Sequence, residues 1–208
     1  PYYHRWMRTF PSWLTLARAP GSRVLKMWEG LGYYRRARFL HGLAKAVIRL
    51  PRRELPQDPA ALRKLPGIGD YTAGAIASIA FGKRAPAFDG NAARVLGRLV
   101  ARRGQVPALA TLRSLTGRLV PRKNPGLHNQ ALMELGALVC LPKNPRCVAC
   151  PFQRSCPSRT RPPTVSRQRP SAEQRAEYIL VPRKSGKVWL TQIHHQGRWR
   201  GLAFFPGV

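Results

Sequence analysis

The sequence predicts a mainly α-helical chain that runs late into a β-containing segment. Three observations carry this reading. Through residues 1–139 the apolar side chains recur at helical spacing, and no stretch alternates as a half-buried strand does. Prolines and glycines punctuate those residues at intervals that suit short helices. After residue 156 the composition changes, and two β-prone runs then flank a Lys-Ser-Gly-Lys turn.

Residues 1–10 already read as the middle of a helical region. Over 35–50, Ala37, Leu40, Ala44, Val47 and Ile48 fall on one face with arginines opposite, and Pro51 stops the helix. Pro59 suits the first position of the next helix, which Ala60, Ala61 and Leu62 continue. A Pro66-Gly67-Ile68-Gly69 turn precedes an apolar run from 71 to 81, and further helices read over 89–101, 108–120 and 128–139. Residues 157–176, with four prolines and almost no large apolar side chains, read as a basic linker. Residues 178–181 and 188–191 then read as the strands of a β-hairpin. A lone hairpin is not independently stable, so 177–208 is expected to open a larger β-containing domain.

The charge narrows the partners. In 208 residues there are 37 Lys and Arg against 8 Asp and Glu, a net charge of +29. A chain this basic repels itself and seeks a polyanion. An Arg-rich codon bias explains part of the excess, and no basic amphipathic stretch ends in a lipidation motif. The expected partner is nucleic acid and not a membrane. With no signal-peptide pattern at the start, the expected compartment is the cytoplasm, with nucleoid association in a bacterium. The chain opens at Pro1 without a methionine and stops at Val208 in what reads as a strand-to-loop transition, so a fragment of a longer protein is expected.

All four cysteines, Cys140, Cys147, Cys150 and Cys156, fall within 17 residues spaced C-x6-C-x2-C-x5-C. Two disulfides would suit a small secreted domain, which this is not. Four thiolates can hold zinc tetrahedrally, or a 4Fe-4S cluster with one thiolate per iron, and the spacing leaves both open.

Leu65-Pro66-Gly67-Ile68-Gly69-Asp70-Tyr71-Thr72 has the form of a helix-hairpin-helix turn, with Lys64 flanking it and the motif extending over 65–81. Glycines let a backbone approach a phosphate closely, and the helix start offers unpaired N–H donors at the positive end of its dipole. Such a device grips DNA without reading sequence; the plainer reading is a turn between packed helices. Asp89, in Phe88-Asp89-Gly90-Asn91, is either an ordinary N-cap or a carboxylate facing a cleft, where it could stabilise a sugar oxocarbenium ion.

Taken together, Trp28-Glu29-Gly30-Leu31-Gly32-Tyr33-Tyr34, the LPGIGDYTAGAIASIAFG block, the FDGNAARVLGRL block and HNQALMELGALVC running into the cysteines resemble the MutY-type adenine DNA glycosylases of the helix-hairpin-helix superfamily. The resemblance covers nearly the whole chain in motif order. It implies a helix-hairpin-helix glycosylase domain over 1–139, a 4Fe-4S cluster on the four cysteines of 140–156, and from 177 the opening of a Nudix-like α/β domain. The implied substrate is double-stranded DNA with adenine opposite 8-oxoguanine or guanine, bound by a monomer.

Residue by residue, the resemblance makes Asp89 the carboxylate that stabilises the cationic sugar, with Asn91 beside it. Tyr71 falls where the related endonuclease III enzymes place a lyase lysine. A tyrosine cannot form a Schiff base, so hydrolysis without strand cleavage is implied. Tyr33 matches the tyrosine that wedges into the stack beside 8-oxoguanine. Lys64, Leu65, Gly67, Ile68, Gly69 and Thr72 are the expected DNA contacts of the hairpin. The family's general acid, a glutamate upstream of the stretch that Pro1-Tyr2-Tyr3 resembles, has no counterpart here. Glu29, Glu54 and Glu134 sit in blocks with other roles, so this chain is expected to be inactive or nearly so. Two other readings stand beside this one: a thymine-mismatch or endonuclease III-like glycosylase, and a non-catalytic DNA-binding homologue.

Overall fold

The computed structural model describes residues 1–160 and, beyond them, the short strands β1 (Arg183–Lys184), β2 (Lys187–Val188), β3 (Thr191–Gln192) and β4 (Ala203–Phe204). Most of the expected linker and the rest of the expected Nudix-like opening lie outside the described residues. The chain divides into two compact units, one of Pro1–Glu54 with Gln168–Val208 and one of Leu55–Arg167.

In the first unit, α1 (Tyr2–Thr9), α2 (Trp13–Arg18), α3 (Gly21–Met27) and α4 (Arg35–Val47) pack around Phe10, Leu16, Ala17, Val24, Ala37 and Ala44. Trp6 meets Trp28 edge to face with centroids 5.3 Å apart, an arrangement favoured by the ring quadrupoles. Ser12 opens α2 through a capping box, accepting from the Thr15 N–H while Thr15 Oγ1 accepts from the Ser12 N–H. The periodicity did not separate α2 and α3, which are six and seven residues long. The helix expected over 35–50 ends three residues early, at Val47, and a 3₁₀ turn, Pro51–Arg53, follows.

In the second unit come α5 (Pro59–Arg63), α6 (Asp70–Ile79), α7 (Gly90–Leu99), α8 (Leu109–Leu119) and α9 (Pro125–Glu134). Phe88, Ala92, Leu96 and Leu112 form a core where α7 meets α8. Asp58 caps α5 and Asp89 caps α7. The helix expected to begin at 128 begins at Pro125 instead, because proline fits a first helical position; Asn124, at φ +55°, turns the chain into it. It then runs into a π-turn, Leu135–Val139, that delivers Cys140.

Strand β1 pairs antiparallel with β2, Lys184 opposite Lys187, and β3 pairs antiparallel with β4. The first pairing centres a hairpin on the expected turn but sets its strands closer to that turn than 178–181 and 188–191. No described helix is long and apolar enough to cross a membrane.

Candidate active site

The hairpin between α5 and α6 is built as its glycines require. Gly67 sits at φ +77°, a conformation that costs a residue with a Cβ free energy, and the Ile68 N–H donates to the Leu65 carbonyl at 3.2 Å to close the turn. Ile68 itself is only 7% exposed, so its side chain packs inward. The exposed residues of the turn are Pro66, Gly67 and Gly69, with Lys64 beside them, while Leu65 and Thr72 are half-buried. Gly69 opens α6 with no side-chain cap, in contrast to the aspartate-capped α5 and α7. The first-turn N–H groups of α6 therefore stay available at the positive end of its dipole.

Asp89 is held from two sides. Its Oδ1 accepts from the Ala92 N–H at 2.7 Å, as an N-cap does, and its Oδ2 accepts from Asn91 Nδ2 at 3.1 Å. Each carboxylate oxygen keeps a further lone pair, and the residue is half-buried. The Asn91 amide is itself fixed, because Arg94 Nη2 donates to its Oδ1 at 2.8 Å. Arg94 also donates to the carbonyls of Gly136 at 2.7 Å and Cys140 at 2.8 Å, both within reach because the π-turn brings them there. A Cβ on Gly136 would stand 2.6 Å from Asn91 Cβ, so only glycine lets the two segments meet. Desolvation lowers the Arg94 guanidinium from its ordinary range, opposed by neighbours that include Cys140 and Asp89.

The strand of chain leading into Asp89 has its own anchor. Asn129, with no exposed surface, donates to Ser78 Oγ and to the Ala85 carbonyl, each at 2.8 Å, and accepts from the Ala87 N–H at 3.3 Å. Sequence reasoning singled out none of Asn129, Arg94 or Arg98. Their partners lie 42 to 51 residues away in the case of Asn129, and no local pattern signals that.

Tyr71, at the start of α6, is 40% exposed and donates its hydroxyl to Met133 Sδ at 3.4 Å. Its hydroxyl is bonded across to α9 and not to Asp89. In the other unit Tyr33 is 84% exposed at φ +48°, with the Arg36 guanidinium 5.5 Å from its ring centroid. Trp28 Nε1 donates to the Gly32 carbonyl at 2.9 Å and fixes the loop just before it.

The four cysteines are free thiols that line one cavity with Arg98 and Val95. Burial pushes the Cys147 thiol up, reinforced by Cys156, Cys140 and Cys150, so the four sulfurs feel one another. Yet among the described residues no three side chains converge as ligands of a single ion. Four thiols around one cavity are a donor set that either a zinc ion or a 4Fe-4S cluster takes. Arg98 supplies the second fit. It is 4% exposed, reaching Cys140 Sγ at 3.4 Å, the Leu141 carbonyl at 2.7 Å and the Pro142 carbonyl at 3.0 Å. Its Nε is buried without a partner among the described atoms, a donor suited to an anionic group in the cavity.

Known proteins align with this frame. The profile of the HhH-GPD superfamily, base excision DNA repair proteins, matches residues 1–120. The adenine DNA glycosylase of Homo sapiens is 43% identical over 164 residues, covering 77% of this chain and 30% of that protein. The adenine DNA glycosylase of Buchnera aphidicola subsp. Baizongia pistaciae is 33% identical over 216 residues, 99% of this chain and 60% of that protein. The chain thus spans about a third to three-fifths of the length of these relatives. Among solved structures, a thermostable thymine-DNA glycosylase superposes with a TM-score of 0.67 at 28% identity, over 76% of this chain and 75% of its own. A trapped endonuclease III–DNA covalent intermediate gives 0.66 at 25% identity, over 76% and 75%. With a family profile matched over more than half its length, the chain belongs to the HhH-GPD superfamily of base excision DNA repair proteins, and its curated relatives here are adenine DNA glycosylases.

Proposed function

We propose that the chain carries the glycosylase core of an enzyme that removes adenine mispaired with 8-oxoguanine or guanine from double-stranded DNA by hydrolysis, without cutting the strand. The observation that carries this reading is Asp89: a carboxylate with lone pairs to spare, held by Ala92 and Asn91, in the same compact unit as an uncapped hairpin helix.

The hairpin N–H groups and Lys64 hold backbone phosphate, and the surrounding positive charge draws the duplex in. Tyr33, displayed almost fully to solvent, suits insertion into the base stack while the target adenine leaves it. As the glycosidic bond breaks, positive charge grows on the sugar, and Asp89 faces that charge with its position fixed in advance. Asn91, steadied by Arg94, orients the carboxylate. Water then takes the sugar carbon. Tyr71 offers no amine, which supports hydrolysis over Schiff-base chemistry. The leaving adenine needs a proton, and Glu29 is unsuited to give it: its bond to Lys26 holds its carboxyl below the usual range, opposite to the tuning of a general acid.

Cys140, Cys147, Cys150 and Cys156 are the residues that would hold a 4Fe-4S cluster, whose bonds would cross-link the loop that carries Lys143 and Arg146. Arg98 ties the same loop to α7. From residue 177 onward a Nudix-like domain that reads 8-oxoguanine is the companion this assignment calls for.

The likeness to a thymine-DNA glycosylase favours one rival reading. Single-turnover base release by the gene product that carries this sequence decides between them. The panel holds duplexes with adenine opposite 8-oxoguanine, adenine opposite guanine and thymine opposite guanine. Release of adenine alone is expected; release of thymine alone would overturn the assignment.

A further inference from the structure

Asp70 is an acidic residue in the place least suited to one on a phosphate-binding hairpin. It occupies the first turn of α6, beside exposed Gly69, in a chain with 8 acids against 37 bases. Two arginines from flanking helices converge on it. Arg63 at the end of α5 meets Oδ1 through Nε at 2.8 Å, and Arg113 of α8 meets Oδ2 through Nη1 at 2.9 Å. The guanidinium of Arg113 also lies 5.2 Å from the ring centroid of Phe88, the residue before Asp89. It therefore touches both the acid of the hairpin helix and the residue that precedes Asp89.

All three side chains are about half exposed, and ion pairs that water reaches contribute little to stability. Their arrangement is better matched to binding. A carboxylate that presents one oxygen to each of two guanidinium groups mimics a backbone phosphate. We propose that Asp70 is a built-in phosphate surrogate: it orients Arg63 and Arg113 while DNA is absent and yields them to two backbone phosphates when the duplex docks. Arg63 and Arg113 are then backbone-positioning residues, and Asp70 lowers affinity for DNA in general. In a chain of net charge +29 such a brake limits capture by undamaged duplex. The inference rests on the DNA reading above.

The test is equilibrium binding of a short undamaged duplex across a range of NaCl concentrations, with far-UV circular dichroism to establish folding. Each phosphate neutralised adds about 0.9 to the slope of log K against log salt. Asp70→Asn is expected to tighten binding severalfold and steepen the slope by up to about 0.9. Asp70→Glu, which keeps the charge, is expected to stay near wild type. Arg63→Gln and Arg113→Gln are each expected to weaken binding and flatten the slope by about as much. If wild type binds with a steep slope while Asp70→Asn leaves affinity unchanged or weaker, the surrogate role is wrong and the DNA reading survives. A wild-type chain that fails to bind duplex at all removes both.

Discussion

Replacing Asn129 with leucine probes how the carboxylate is delivered. The side chain is completely buried and makes three hydrogen bonds, to Ser78, Ala85 and Ala87. Leucine fills about the same space and makes none of them. Ser78 keeps a partner, since its hydroxyl also donates to the Ala75 carbonyl at 3.3 Å. The Ala85 carbonyl and the Ala87 N–H, both in nearly fully buried residues, lose the bonds that Asn129 gives them. Each of the two stranded buried groups costs about 1–3 kcal/mol, and the added apolar contact returns about 1, so a net loss of about 1–5 kcal/mol is expected. With a urea slope of about 2–3 kcal/mol/M, the midpoint followed by far-UV circular dichroism drops by about 0.3–2.5 M. The Ser78→Ala, Asn129→Leu double variant should fall short of additivity by about 1 kcal/mol, because the two residues share a bond. A loss under about 0.5 kcal/mol would refute the claim that this amide anchors the segment running into Asp89.

Three further outcomes follow from the same geometry. Arg98→Met removes the donors to Leu141 and Pro142, so the purified variant should hold markedly less iron per chain than wild type, and equal iron content would contradict the role given to Arg98. Tyr71→Lys puts an amine at the first turn of α6, and a borohydride-trapped covalent complex with DNA is expected; no trapping would mean that this position does not reach the sugar. Burial lowers His41 and His128 from the ordinary 6.5, and Nε2 of each is buried without a partner among the described atoms. Each stays neutral to a lower pH in the folded chain than in the unfolded one, which takes up protons near pH 6.5; stability is full above that pH and is lost as pH falls toward the lowered folded values. The urea midpoint should therefore decline from pH 7 to 5, and less steeply in a His41→Gln, His128→Gln variant; identical declines would refute the assignment.

What local pattern could reveal, it revealed. Asp89 before a run with apolar residues at helical spacing marks the start of α7, and Gly67-Ile68-Gly69 marks the entry to α6, because caps and turns are set by residues a few positions apart. The cysteine spacing brought four thiols to one cavity. The failures share a cause. An arginine on an amphipathic helix reads as a solvated face, yet Arg98 is buried because carbonyls more than 40 residues downstream receive it. Asp70 and Arg113 are 43 residues apart, and only the packed helices bring them together. Ile68, at 7% exposure, packs its side chain inward while the glycines on either side of it stay exposed, a division that the turn sequence does not announce.

Under the proposed function Asp89 does more than cap a helix, and one substitution separates the two roles. Asparagine caps as well as aspartate does, so Asp89→Asn should preserve the fold and the affinity for duplex DNA. It removes the negative charge that faces the forming oxocarbenium ion. Single-turnover release of adenine opposite 8-oxoguanine, measured in the gene product that carries this sequence, should then fall by about 10²–10³-fold or more. A variant that binds DNA and releases adenine at the wild-type rate would leave Asp89 as a helix cap alone and contradict the account.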